Sequence, residues 1–93
     1  MVTLRIEHAI HDYQTWQKAF DSFAEARAKA GVRRYAIRQP ADDHSYLMLD
    51  LEFDTAGQAE AFAEFLYERV WSSAASSPAL AGAPQVRILE LRT

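Results

Sequence analysis

The sequence lacks cysteine and has little proline or glycine: 93 residues include no Cys, three Pro and three Gly. Without cysteine the chain has no disulfide, no thiolate nucleophile and no sulfur ligand for a metal. The net charge of −3 provides no basic field that would attract phosphates, which argues against nucleic acid as a partner. Any chemistry must therefore come from histidines, carboxylates and aromatic side chains.

The sequence also lacks an apolar segment long enough to cross a membrane. The only long uncharged run, residues 71–86, contains serines, two prolines and a glycine, so we interpret it as a connection. Near the start, Arg5 and Glu7 interrupt the apolar residues, which is not typical of a signal peptide. We expect one domain over residues 1–93, located in the cytoplasm, with no membrane partner.

Regular hydrophobic periodicity is what the sequence does have. Residues 2–10 and 45–53 alternate between apolar and polar side chains, which predicts two half-buried strands. Residues 32–39 and 85–92 predict two more strands. Apolar residues recur at three- and four-residue steps in 13–30 and in 56–71, which predicts two amphipathic helices.

The predicted helices have recognisable ends. Asp12 is placed to cap the first helix, which Gly31 then ends, while Thr55 and Gln58 have the spacing of a capping box. The order is βαββαβ. It predicts an α+β, ferredoxin-like fold, in which a four-stranded antiparallel sheet carries both helices on one face.

The other face of the predicted sheet is neither plainly apolar nor plainly polar. It carries Arg5 from the first strand beside Tyr46, Met48, Asp50 and Glu52 from the third. Such a face suits pairing with a second copy across a two-fold axis, with Arg5 able to meet an acidic residue. We predict a homodimer.

His8 is the candidate catalytic residue, because alternation places it on the helix-covered face near the end of the first strand. An imidazole with an ordinary pKa of about 6.5 could accept a proton from a phenol or donate to a carbonyl. The alternative is a buried neutral histidine bonded to a main-chain carbonyl or to Asp12. His11 and His44 are predicted to be solvated, and no metal site is expected.

Aromatic residues are more abundant than two short helices need, and aromatic walls hold flat ligands. The alternative is simple core, which we favour for Phe20 and Phe23. Arg27 lies in the last turn of its helix, where a capping role is expected. The segment after Trp71 is a candidate lid. The candidate substrate-binding residues are Trp16, Phe62, Leu66, Trp71, Tyr35 and Arg38.

Four stretches resemble the dimeric α+β barrel proteins of the antibiotic biosynthesis monooxygenase-like group. They are EHAIHDYQTWQKAFD, AGVRRYAIRQPADDHSYLMLDLEFD, AEAFAEFL and GAPQVRILEL. The most distinctive piece is H-x-x-x-D-Y-x-x-W at His8, Asp12, Tyr13 and Trp16. The resemblance implies a dimer whose sheets pack back to back as a barrel, with a pocket between sheet and helices in each subunit.

The resemblance also implies several activities, because fold alone does not choose among them. Some members of the group oxidise polycyclic phenols with molecular oxygen and no cofactor, others bind or degrade haem, and many have no known reaction. In the oxygenases that this chain resembles, an asparagine on the first strand and a tryptophan help to hold substrate or haem. This sequence contains no asparagine, and His8 takes the polar position on that strand.

Three hypotheses follow for function. The first is a cofactor-independent monooxygenase of a phenol-like aromatic molecule, with His8 as base or hydrogen-bond partner and Trp16, Phe62 and Trp71 as walls. The second is a non-catalytic dimer that binds a small ligand or has a structural role. The third is a haem-binding or haem-degrading protein.

Overall fold

The computed structural model describes residues 1–92, which form four strands, three α-helices and a π-helical turn. In chain order these are β1 Val2–Ile10, α1 Tyr13–Ser22, α2 Ala24–Ala30, β2 Arg34–Arg38, β3 Tyr46–Phe53, α3 Ala56–Phe65, the π-helical turn Leu66–Val70 and β4 Leu80–Glu90. The predicted domain also includes Thr93, which lies outside the described residues.

The strands form one antiparallel sheet in the order β2-β3-β1-β4. This order, with helices covering one face, confirms the predicted ferredoxin-like α+β fold. The alternation predicted for β1 and β3 is confirmed too, because His8 lies opposite Leu47 on the covered face and Arg5 lies opposite Asp50 on the open face. The core is built from Leu4, Ile6, Ile10, Leu47, Leu49, Leu51, Phe53, Phe20, Ala59 and Phe62.

The first predicted helix is divided, which is a correction to the sequence-based prediction. Its ends are as predicted, because Asp12 accepts a hydrogen bond from the Thr15 N–H (2.9 Å) and Gly31 adopts φ +95°. At Phe23, however, the backbone leaves the helical region (φ −101°, ψ 15°). The Phe23 ring lies 6.2 Å from that of Phe65 on α3, edge to face. Packing between helices accompanies this break, which no proline or glycine marks in the sequence.

The second predicted helix begins as expected and ends differently. Both bonds of the Thr55–Gln58 capping box are present. After Phe65 the main-chain hydrogen bonds span five residues, as in a π-helix, and the Trp71 N–H donates to the Leu66 carbonyl at 2.7 Å. Because a π-helical turn takes one more residue than an α-helical turn, it changes which later side chains face the sheet.

Strand β4 begins at Leu80, five residues before the predicted start at Gln85. Gly82 and Pro84 made this segment look like a connection, but β4 is an edge strand and tolerates both residues at a bulge. The pairing of β1 with β4 shifts between Glu7 and Ala9, so that residues 82–84 lie opposite His8. The bulge therefore lies beside the candidate catalytic residue.

Gly31→Ala is expected to destabilise the protein more than Gly82→Ala. Both glycines have φ near +90°, so an alanine at either pays the cost of a left-handed conformation, about 1–2 kcal/mol. At Gly31 the new Cβ would also lie 2.7 Å from the Gln58 side-chain nitrogen, while at Gly82 it meets no atom within 4 Å. Thermal unfolding of both variants measures the difference, and equal losses would contradict the steric argument.

Candidate functional site

A cavity lies between the covered face of the sheet and the helices. Its volume is about 70 Å³, and it is partly open to solvent. Strands β1 and β3 form its floor, α1 and α2 one wall, and α3 with the π-helical turn the other. The lining residues are His8, Trp16, Ala19, Phe20, Phe23, Arg27, Leu49, Leu51, Phe62, Leu66, Val70, Trp71, Ser76, Ser77, Ala79 and Leu80.

The structure brings most of the predicted site residues together around this cavity. Five of them line it: His8, Trp16, Phe62, Leu66 and Trp71. Tyr35 and Arg38 do not. Tyr35 is 51% exposed and packs its ring edge to face on Phe20 at 5.0 Å. Arg38 lies on the open face, where it donates to Asp50 at 3.1 Å, so strand alternation separates it from the cavity.

His8 is buried, with 5% of its surface exposed. Its Nδ1 lies 2.9 Å from the Ala9 carbonyl oxygen. Because a carbonyl only accepts, Nδ1 carries the proton, and in the neutral ring Nε2 is then a hydrogen-bond acceptor. Nε2 has no protein hydrogen-bond partner among the described residues. In the same residues, every fully buried side-chain nitrogen has a hydrogen-bond partner, so Nε2 is not fully buried. Nε2 therefore faces accessible space.

The orientation of His8 fits both hypotheses drawn from the sequence, the buried neutral histidine and the imidazole that can act as a base. The main-chain hydrogen bond expected of a core histidine is present, although its acceptor is Ala9 and the Asp12 carboxylate instead caps α1. The same bond holds the tautomer in which Nε2 is basic. Trp71 meets the imidazole edge to face, with ring centroids 6.5 Å apart.

Burial lowers the pKa of His8, and the hydrogen bond to Ala9 opposes this shift in part. The unfolded histidine protonates near pH 6.5, so the stability contributed by neutral His8 is complete above that pH. It is lost as the pH falls below 6.5 towards the lower folded pKa. Between pH 7.5 and 5.5 the midpoint of thermal unfolding should therefore fall more for the native protein than for His8→Gln. Parallel pH profiles for the two proteins would contradict this prediction.

The aromatic side chains that line the cavity also pack on neighbouring aromatic rings. Trp16 stacks on Phe20 with centroids 5.0 Å apart, and Phe62 stacks on Phe65 at 5.6 Å. Tyr67 meets Trp71 edge to face at 4.9 Å. These contacts leave flat aromatic surfaces beside the cavity but fill much of the space between the helices.

Arg27 is a lining residue that the sequence did not assign to the site. Its Nη1 donates to the Phe20 carbonyl in the last turn of α1. Arg27 therefore caps the helix before its own, whereas the sequence placed its capping role in the last turn of its own helix. The guanidinium also lies over the Phe20 ring, with its central carbon 3.6 Å from the centroid. The signal in the sequence was a charge within the aromatic stripe of a helix.

Residues 72–79, here called the cover segment, pass over the cavity and contribute Ser76, Ser77 and Ala79 to its lining. Two of its main-chain hydrogen bonds stay within the segment, from the Ser76 N–H and the Ser77 N–H to the Ser73 carbonyl. Its end is tied to the sheet side by the His11 N–H, which donates to the Ala79 carbonyl at 2.8 Å.

Five charged side chains on the open face of the sheet pair with one another within the chain. Arg5 makes a two-point contact with Asp50, both bonds at 2.8 Å, and Arg38 reaches the same carboxylate. The hydrogen bond from Arg5 holds the pKa of Asp50 below its usual range. Arg34 contacts Glu52 at 3.1 Å. Arg5 thus finds its acidic partner in its own chain, on the neighbouring strand.

Two further findings concern residues 1–92 only. Within this range no three His, Cys, Asp or Glu side chains are grouped so that they could hold a metal ion. No helix in the same range is both long and apolar enough to cross a membrane.

Fold and site together define a ferredoxin-like α+β protein with a small apolar cavity under its helices. No protein-family model matches the sequence, and no curated protein sequence matches it. Solved structures with the same fold do match, with TM-scores of 0.61 to 0.73 for the three described next.

Two of these structures are assigned as antibiotic biosynthesis monooxygenases. The one from Nitrosomonas europaea is 20% identical, covers 97% of each chain and has a TM-score of 0.68. The one from Bordetella bronchiseptica is 12% identical, covers 99% of this chain and 97% of its own, and has a TM-score of 0.73. A dimeric ferredoxin-like protein from an uncultured marine organism is 8% identical, covers 100% and 96%, and has a TM-score of 0.61. The resemblance predicted from the sequence is thus confirmed for the fold.

Proposed function

We propose that this protein binds a small phenol-like aromatic molecule in the cavity and oxidises it with molecular oxygen, without a cofactor. The observation that carries the proposal is the orientation of His8. Its Nδ1 is held by Ala9, and its Nε2 faces accessible space beside aromatic side chains. The likeness in fold to structures assigned as antibiotic biosynthesis monooxygenases supports the same chemistry.

In this proposal His8 Nε2 accepts the phenolic proton, and the phenolate supplies the electrons that reduce oxygen. One oxygen atom becomes a carbonyl on the substrate, while the other leaves as water with the two hydrogens that the substrate loses. No external reductant is needed. The lowered pKa of His8 keeps the imidazole neutral, and therefore able to act as a base, at neutral pH.

The cover segment has a role in this proposal because the cavity is small. An apolar cavity of about 150 Å³ holds one benzene molecule, whereas this one measures about 70 Å³. An aromatic ligand would therefore enter with movement of residues 72–79, whose main-chain hydrogen bonds to the rest of the described chain are at Ser77 and Ala79, near the end of the segment. The predicted substrate-binding residues Trp16, Phe62, Leu66 and Trp71 would then contact the ring.

The same volume favours a second candidate function, a dimer that binds a small ligand or has a structural role without catalysis. A cavity smaller than one ring, with walls already packed on each other, requires no reaction to explain it. The haem alternative has weaker support, because a haem group is several times larger than the cavity. A haem titration that gives no Soret band would exclude the haem alternative.

The test of the proposed function is an NMR titration of the histidines with phenol and bicyclic phenols. We expect the His8 ring resonances to shift on binding, while those of exposed His11 and His44 do not. His8→Ala assigns the signal, and His11→Ala is the matched control. His8 resonances that ignore every phenol would contradict the proposal and favour the structural alternative.

We also propose that the chain forms a homodimer, as the marine protein described as dimeric does, and that the open face of the sheet is the interface. On this face Arg5, Arg34 and Arg38 pair with Asp50 and Glu52, which reduces the repulsion that would oppose a second copy. Leu89 on β4, opposite Thr3, adds an exposed apolar side chain.

Light scattering at micromolar concentration is expected to give the mass of two chains, and Leu89→Glu should shift it towards one. Ala61→Glu, at an exposed position on the helical side, is the control. A single-chain mass for the native protein would contradict the dimer.

A further inference from the structure

Arg27 is a buried cation that makes no salt bridge among the described residues, although the charge of Asp21 opposes the lowering of its pKa by burial. Only 8% of its surface is exposed, and among residues 1–92 it and His8 are the buried polar side chains. The other arginines either pair with a carboxylate or are exposed. A buried charge is costly unless it is paired and hydrogen-bonded.

The surroundings of the guanidinium satisfy only part of it. Nη1 donates to the Phe20 carbonyl, and the ring of Phe20 covers one side. An arginine has several further N–H donors. Every fully buried side-chain nitrogen among the described residues has a hydrogen-bond partner, so a nitrogen of Arg27 without such a partner is not fully buried. The remaining donors therefore point to accessible space.

Arg27 lines two spaces, the cavity and a shallow outer groove that also contains Arg33 and Arg34. In that groove Arg33 pairs with Asp54, and Arg34 pairs with Glu52. The unpaired positive charge is therefore that of Arg27. Burial lowers the pKa of Arg27, which reports the same desolvation, and an anion bound beside it would oppose that shift.

We propose that Arg27 binds the carboxylate of a small aromatic acid in the cavity, with the ring of the acid against the aromatic wall of α1. This inference rests on the proposed binding of an aromatic ligand and specifies its class. A guanidinium binds a carboxylate through two parallel hydrogen bonds. Trp16, stacked on Phe20, extends the flat surface next to the cation.

Arg27 and His8 act on different parts of the site. The Arg27 guanidinium lies 5.4 Å from the ring of Tyr35, and Tyr35 pairs with Leu51 on β3. His8 pairs with Leu47 on the same strand. Four residues along β3 correspond to about 13 Å. The charge preference at Arg27 can therefore be measured separately from the response of His8.

The experiment compares benzoate with benzyl alcohol, which is similar in size but uncharged, at pH 7.5 and constant salt. We expect the native protein to bind benzoate at least about tenfold more tightly, because the hydrogen bond is charge-assisted. The Arg27 Nε–H resonance should shift with benzoate and not with the alcohol. Arg27→Met should lose the preference and keep the affinity for benzyl alcohol, while Arg69→Met, at an exposed arginine, should change neither.

The outcomes separate this inference from the proposed function. If phenols shift His8 but benzoate has no advantage over benzyl alcohol, the inference about Arg27 is overturned and the proposed function stands. If no aromatic compound binds, both are overturned. Should Arg27→Met fail to fold, Arg27→Lys, which keeps the charge without the planar fork, is expected to reduce the preference. An undiminished preference in Arg27→Lys, with an unmoved Arg27 resonance in the native protein, would place the carboxylate elsewhere.

Discussion

Replacing His8 with alanine is expected to reduce phenol-dependent oxygen uptake by a factor on the order of 10²–10⁴, the usual contribution of a general base. The variant removes Nε2, the group proposed to take the phenolic proton. It also enlarges the cavity, so a phenol should still bind. The measurement is oxygen consumption with mono- and bicyclic phenols, together with binding and dimer mass for each variant.

His11→Ala is the matched control for this experiment, because His11 is exposed and lies only three residues away. Its oxygen uptake should equal that of the native protein. His8→Gln retains hydrogen bonding without an imidazole, so its uptake should be low as well. A native rate in His8→Ala would remove His8 from the mechanism, and no uptake by the native protein with any phenol would favour the non-catalytic alternative.

Phe53→Ala is expected to lower the free energy of unfolding by about 3–5 kcal/mol. Phe53 has no exposed surface, lies at the end of β3 opposite Val2 and packs its ring 6.0 Å from that of Phe62. Alanine would leave a cavity between the sheet and α3. For a domain of this size the loss corresponds to a decrease in Tm of roughly 12 °C or more.

Leu91→Ala is the control for Phe53→Ala, because Leu91 is the most exposed of the large apolar side chains described. It should change the free energy of unfolding by less than about 0.5 kcal/mol. Both variants must be compared at one protein concentration, since dimer formation would make Tm depend on concentration. A Phe53→Ala protein as stable as Leu91→Ala would mean that the core rearranges to fill the space.

The sequence predicted those parts of the fold that depend on local periodicity and caps. Period-two alternation placed His8 on the covered face of β1 and Asp50 on the open face of β3, as the pairing of the strands confirms. Local side-chain chemistry was also readable, because the Asp12 cap and the Thr55–Gln58 capping box involve residues three apart. These features need no knowledge of distant neighbours.

The sequence predicted the site less completely than the fold. It identified five residues of the cavity lining but also offered Tyr35 and Arg38. Alternation along β2 places Arg38 on the open face, and Tyr35 packs on Phe20 outside the cavity. It assigned Arg27 to a cap alone. A cap and a cavity wall are compatible for a long side chain, and only the position of Phe20 beneath the guanidinium makes this visible.

By itself, the sequence determined the order of the elements, the buried faces of β1 and β3 and the caps at Asp12, Gly31 and Thr55, because these depend on contacts within a few residues. Tertiary structure decided the break at Phe23, the π-helical turn before Trp71 and the bulge in β4 opposite His8. Each of these departs from local regularity, and each lies at or beside the cavity. Packing of the helices on the sheet encloses the His8 ring and the Arg27 guanidinium in one cavity, so the chemistry of the site became readable only once the chain was folded.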